Sequence, residues 1–298
     1  MANAKEIKNH IAGIRETQKI TKAMYLISST KLRRAKAELD RTRPYFNALR
    51  AEIKRIFRTA GNVDSKYFYA DDAAYHPDGT FGCLVVTADK GLAGAYNQNV
   101  IKEADKLLCE HPDTKLFVVG EYGRQYFSRR NIPIERSFLY TAQNPTMHRA
   151  REISDLLLSS FDSGKVDKIL LIYTDLGGGM DMVTKCTRLL PFHRNQFSTP
   201  ENEKSVSTPF EFTPSVEAVL DNVMQSYVSG YIYSALVDSF CSEQESRMAA
   251  MDAANRNADR LLRELTVQYN HARQADITSE ITEVCAGARA LGKNQYGG

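Results

Sequence analysis

Two glycine-containing turns are where chemistry would be sought first in this sequence. In VVGEYGRQYF, Gly120 and Gly123 stand as GxxG between a β-branched run and a helix-like stretch. Backbone N–H groups at such a turn can hold a phosphate. The full G-x-G-x-x-G fingerprint is missing, and GxxxxGK followed by Ser or Thr occurs nowhere, so these glycines read as strand terminators. The second turn, TADKGLAGAYN (residues 87–97), carries the Asp89–Lys90 pair after another apolar run. Ligands of α/β folds bind at such strand ends, but a solvated turn or a protein contact suits these residues better than catalysis. His10, His76, His111, His148, His193 and His271 show neither HxxxH nor HExxH spacing. Cys83, Cys109, Cys186, Cys241 and Cys285 are scattered without a CxxC pair, and no GxSxG is present. No catalytic, cofactor-binding or metal-ligating residue is expected.

The elements around these turns are more informative than the turns. GCLVVTA (residues 82–88), KLFVVGE (residues 115–121) and DKILLIYTD (residues 167–175) are short apolar runs of the kind found in buried parallel strands. NQNVIKEADKLLCEH follows the first and YGRQYFSRR the second, both helix-like. The alternation predicts a Rossmann-like α/β domain over residues 78–192. MVTKCTRLLPF (residues 182–192) suits an edge strand, and DLGGGMD (residues 175–181) a hairpin-type turn, with Gly177 to Gly179 supplying positive φ. Residues 193–214, with Pro200, Pro209 and Pro214, form a polar linker.

Long helices are expected at both ends, over residues 1–58 and 215–298. No Gly or Pro interrupts residues 14–43 or residues 231–286, a length that indicates a coiled coil and not an ordinary globular helix. Ile7, Ile11, Ile14, Gln18, Thr21 and Tyr25 repeat at four-three spacing, as do Met248, Met251, Asn255, Ala258, Leu262, Leu265, Tyr269 and Ala272. Pro44 should kink or interrupt the first helix. Beyond Ala272 the seam turns polar at Asp276, Ser279 and Glu283, so the last helix is expected to outlast its partner and stand alone. The reading is a discontinuous, antiparallel coiled coil with the α/β domain inserted in it.

Charge supports that pairing. The 298-residue chain has a net charge of +3, but residues 1–58 hold fifteen Lys and Arg against five Asp and Glu, and residues 215–298 hold seven against eleven. Oppositely biased helices suit each other, and the remaining basic surplus calls for an acidic partner or a polyanion. No apolar run of 18 residues exists and MANAKEIKNH lacks the apolar core of a signal peptide, so neither membrane insertion nor export is expected. Dispersed cysteines, odd in number, suit a reducing compartment.

Four stretches together resemble a known family. MANAKEIKNHIAGIRETQKITKAMYLISSTKLRRA, ADKGLAGAYN, FEFTPSVEAVL and ESRMAAMDAANRNADRL with YNHARQADITSEITEVCAGARA occur in the order and spacing of the γ subunit of the bacterial F-type ATP synthase. The resemblance covers essentially the whole chain, and its C-terminal signature includes Ile277, Thr278, Glu280, Glu283, Gly287 and Ala288. It implies a left-handed antiparallel coiled coil rising inside a ring of three α and three β subunits. The α/β domain would sit below, against the ε subunit and the membrane c ring. It implies a non-catalytic rotor, coupling ion flow to ATP synthesis or hydrolysis through asymmetric contacts. By the same resemblance Met24, Arg273 and Gln274 are axle contacts to acidic β-subunit loops, and Phe210, Glu211 and Phe212 a foot on the c ring. The place implied is the cytoplasmic face of the bacterial inner membrane, peripherally held, with no nucleic acid bound.

The chain departs from the family at Ala88, usually Ser, at Ala93 and Ala95, usually Cys and Gly, and in DLGGGMDM. Those changes weigh against a catalytic or redox role for the loop at residues 87–97. Two other readings make different demands. A nucleic-acid-associated coiled coil requires steep salt dependence of DNA or RNA affinity. An α/β enzyme dimerised by its helices requires a small-molecule ligand at residues 87–97 or 120–123.

Overall fold

The breaker-free stretches at the two ends form the two longest helices of a computed structural model. The structure describes residues 4–60, 63, 65–69, 79–139, 141–176, 182–193, 197 and 211–294. Helix α1 spans Ala4–Ala60 and helix α5 spans Val216–Asn294. The described chain divides into two units, Met1–Ile27 with Met248–Gly298, and Ser28–Arg247.

The smaller unit is a two-helix seam. Gln18 Nε2 donates to Asp259 Oδ1 at 2.6 Å, and Thr21 Oγ1 donates to Asn255 Oδ1 at 2.5 Å. Rising numbers on α1 meet falling numbers on α5, so the helices are antiparallel. Every seam residue from Met248 to Ala272 is wholly or partly buried, as its heptad spacing predicts. On α1 the seam runs through Ile7, Ile11, Ile14, Gln18, Thr21 and then Met24, which is half-buried, whereas Tyr25 is 36% exposed. The expected Tyr25 is thus corrected to Met24. An α-helix makes 3.6 residues per turn, so a strict 3.5-residue count drifts to a neighbouring residue after a few turns.

The larger unit is built on a five-stranded sheet of order β3-β2-β1-β4-β5. In chain order these are β1 (Phe81–Val86), β2 (Lys115–Val119), β3 (Ile134–Phe138), β4 (Lys168–Asp175) and β5 (Val183–Leu190). β1 pairs in parallel with β2 and β4, β2 in parallel with β3, and β5 antiparallel with β4. This is the doubly wound, Rossmann-like arrangement, with strand order reversing between β1 and β4. The glycine turn expected between β4 and β5 lies outside the described residues. Both faces of the sheet are covered, which is why its central strands read as continuous apolar runs. Alternate residues such as Cys83 and Val85 face α2 (Tyr96–Glu110) and α3 (Glu121–Arg129), through Val100, Ile101, Leu107 and Phe127. Leu84 and Val86 face a larger core with Ile153 and Leu157 of α4 (Met147–Asp162), Ile53 and Ile56 of α1, and Val228, Ile232 and Leu236 of α5. Strand β3 and helix α4 were not foreseen. IERSF alternates with two charged residues at a sheet edge, and α4 begins inside a polar stretch, where Thr146 caps it by accepting from Arg149 N–H at 3.3 Å.

Pro44 does not break α1, contrary to expectation; the helix runs through it. Pro44 is exposed, so the carbonyl it orphans can turn to water, while α1 is held on the opposite face. Phe46 lies 6.2 Å from the Tyr233 ring of α5, and Lys36 Nζ is 2.9 Å from Glu245 Oε1. The approach is close at Gly230, where an added Cβ would fall 2.0 Å from the Phe46 ring. Replacing Gly230 by Ala adds about 1 kcal/mol of helix propensity, but overpacking this contact costs about 1–3 kcal/mol. Thermal unfolding of Gly230→Ala should therefore show net destabilisation, partly recovered by adding Phe46→Leu. A variant more stable than wild type would contradict the close packing.

Candidate functional site

In an open α/β sheet the crevice for ligands lies at the carboxyl ends of the strands flanking the reversal point. Here those ends belong to β1 and β4, and α5 occupies the place. Ser239 Oγ accepts from Thr174 N–H at 3.2 Å, and Ser242 Oγ donates to Thr174 O at 3.3 Å. Two adjacent turns of α5 thus satisfy the backbone at the end of β4. The loop after β1 closes over the same helix. Arg247 Nη2 donates to Gly91 O at 3.2 Å and its Nη1 to Glu243 Oε1 at 2.6 Å, in a pair whose side chains are only 11% and 9% exposed. Burial pushes the Glu243 carboxyl up, against the pull of Arg247. Burial first, and then the charge of Glu243, hold the Tyr96 hydroxyl well above the usual phenol range, against the opposing hydrogen bond with Ser239 and the charge of Arg247.

The glycine turns serve this arrangement. Gly120 has φ +95, and a Cβ there would lie 2.2 Å from Thr87 O. At Gly123 it would lie 2.7 Å from Thr87 Oγ1, a hydroxyl that donates to Val119 O at 2.8 Å and accepts from Gly123 N–H at 3.0 Å. The free N–H of Glu121 donates to Asp89 Oδ1 at 2.9 Å, and that of Tyr122 to Ala88 O at 3.1 Å. Asn97 Oδ1 accepts from Ala88 N–H at 2.9 Å. The N-terminus of α3, which would cradle a phosphate, is therefore capped by the loop at residues 87–97. No group of His, Cys, Asp and Glu suited to a metal occurs among the described residues.

The other feature is the end of α5. All residues from 273 to 287 are exposed. In the observed register Gln18 stands opposite Asp259, so the first described turn of α1, at Ala4, reaches the level of Arg273. No described residue of α1 reaches beyond it. Ile277, Ile281 and Val284, at i, i+4 and i+7, put a bare apolar strip on one side at 46%, 59% and 71% exposure.

These features meet a consistent set of relatives. Residues 3–291 match the family described as ATP synthase. An ATP synthase gamma chain of Caldanaerobacter subterraneus subsp. tengcongensis is 41% identical over 95% of this chain and 98% of its own length. The chain belongs to the ATP synthase γ-chain family. Among solved structures, a chain of the central stalk and c ring of the Tetrahymena thermophila mitochondrial ATP synthase is similar at 26% identity, with TM-score 0.58, covering 79% of this chain and 99% of that one. A chain of the Euglena gracilis mitochondrial ATP synthase shares the fold at TM-score 0.68 and 16% identity, over 99% of this chain and 96% of that one.

Against this family, the sequence-derived site residues fall in separate places. Arg273, Gln274, Ile277, Thr278, Glu280, Glu283 and Gly287 lie on the exposed single helix, where Thr278 Oγ1 donates to Gln274 O at 2.8 Å. Ala288 belongs to the same helix. Met24 is not beside them: the pairing of Thr21 with Asn255 sets it level with Asp252, about 30 Å along α5 from Arg273. Of the foot, Glu211 is exposed and Phe212 is half-buried against the core, while Phe210 lies outside the described residues. Sequence reasoning missed Glu243 and Arg247. An i, i+4 Glu–Arg pair on a long helix ordinarily marks a solvated face, and only the fold shows that this one is buried. Truncating Arg247→Ala leaves Glu243 without its cation and should cost about 3–5 kcal/mol. Denaturant unfolding that moved by less than about 1 kcal/mol would mean the pair is in effect solvated.

Proposed function

We propose that this chain is the non-catalytic rotor of an F-type ATP synthase, turning inside an α3β3 ring at the cytoplasmic face of a bacterial inner membrane. Its partners in this reading are the α and β subunits, the ε subunit and the membrane c ring. The observation that carries the proposal is the stretch of α5 over residues 273–287, exposed at every position, in a chain of this family. A bare helix with one apolar side is fit to turn in a sleeve that other subunits supply. Because the helix is asymmetric, its apolar strip faces one catalytic subunit at a time. Differential contact of that kind shifts the conformational equilibrium of each subunit differently, and nucleotide affinity follows.

The chain supplies no reacting group in this mechanism. Its crevice is filled by its own helix, and its contribution is geometry and stiffness. Met24, Arg273 and Gln274 are assigned to contacts with acidic loops of β, to which the basic surplus of residues 1–58 is complementary. Phe210, Glu211 and Phe212 are assigned to the foot near the c ring. No described helix is long and apolar enough to cross a membrane, and attachment through the c ring needs none.

Arg273→Ala and Gln274→Ala should leave the complex assembled, since neither side chain is buried within the chain. Each should lower ATP-driven ion pumping by membrane vesicles roughly fivefold or more, the range of a typical coupling energy. Pumping equal to wild type in both variants would overturn the axle assignment.

A further inference from the structure

One carboxylate at the base of α5 accepts no hydrogen bond among the described residues. Asp238 is half-buried on the helix turn that meets β4, at the wall of a cavity of about 640 Å³ shared with Arg43, Phe46, Asp175 and Tyr231. The cations around it are committed elsewhere. Lys185 of β5 pairs with Asp175 of β4, Arg43 of α1 pairs with Asp40 at 3.3 Å, and Lys36 of α1 pairs with Glu245 of α5 at 2.9 Å. Asn47 and Arg50 of α1 and Tyr227 and Ser234 of α5 also line the cavity, and Tyr173 of β4 is near enough to feel the charges of both Asp175 and Asp238. Burial first, and then the like charge of Asp175, push the Asp238 carboxyl up to about 6, against the weaker pull of Arg43 and Lys185.

We propose that Asp238 makes the seat of α5 a proton-operated joint, firm against β4 when the carboxyl is protonated and looser when it is ionised. The proton comes from solvent through the open cavity, and no bond other than O–H is made or broken. In the neutral state the repulsion from Asp175 is gone, and the carboxyl has gained a donor in a cavity that Asp175 also lines. The seated helix binds a proton more tightly than the released one, so the added firmness is present below the ordinary carboxylate range and is lost as pH rises through about 6. The joint is a property of the larger unit and stands whether or not the chain turns inside a ring.

Hydrogen exchange on the full-length chain reads this directly, in peptides covering residues 171–175, 183–186 and 235–242. After correction for intrinsic rates, wild-type protection should be roughly tenfold higher at about pH 5 than at about pH 7.5. Asp238→Asn, permanently neutral, should hold the higher protection at both values. Asp175→Asn, which removes the like charge, should move the wild-type transition to lower pH. A wild-type profile without the transition, or the same profile in Asp238→Asn, overturns the proposal. Should the Asp238→Asn variant fail to fold, the Asp175→Asn series decides alone, and an unmoved transition overturns it.

Discussion

The larger unit depends on the seating of α5 at the strand ends of β1 and β4. A doubly wound sheet leaves a crevice there because its crossovers run to opposite sides, and many α/β proteins fill that crevice with a ligand. In this chain the same backbone groups are taken by Ser239, Ser242 and Arg247. The loop at residues 87–97, which would otherwise be free to bind a small molecule, grips a helix and caps α3. One arrangement thus accounts both for the absence of a nucleotide fingerprint and for the anchoring of residues 239–247 of α5 to the sheet. The glycines at 120 and 123 are required by close packing against Thr87.

In the smaller unit the pairing is held by apolar seam residues and by side-chain hydrogen bonds between the helices, among them Thr21–Asn255 and Gln18–Asp259. Thr21 and Asn255 meet only if the helices neither slide nor change partners, so the polar pair fixes register at some cost in stability. Gln18 and Asp259 repeat the device one turn further on. Past Arg273 the seam residues are polar and every described side chain to 287 is exposed.

Much of this was legible in the sequence, and the misses are physical. Met248 to Ala272 and the polar continuation at Asp276, Ser279 and Glu283 were readable because heptad spacing maps directly onto a helix seam. The parallel strands at residues 81–86, 115–119 and 168–175 were readable because both sheet faces are covered. Strand β3 escaped because an edge strand tolerates Glu135 and Arg136, and Pro44 misled because tertiary packing outweighed one lost hydrogen bond. Glu243, Arg247 and Asp238 look like the solvated side of a long helix until the sheet is placed against them. The Met24–Tyr25 ambiguity is the difference between 3.5 and 3.6 residues per turn.

A central-stalk subunit of this family transmits motion, and that motion can be seen. The three exposed thiols of this chain, Cys109, Cys186 and Cys285, make a direct test possible, since Cys83 and Cys241 are buried. With Cys186 and Cys285 replaced by Ser, a visible probe fixed to Cys109 of α2 can be followed in the assembled ATPase during hydrolysis. The account predicts unidirectional rotation of the probe in three steps per turn, stopping when ATP is withdrawn. A probe that stays still while ATP is hydrolysed at the full rate would contradict it.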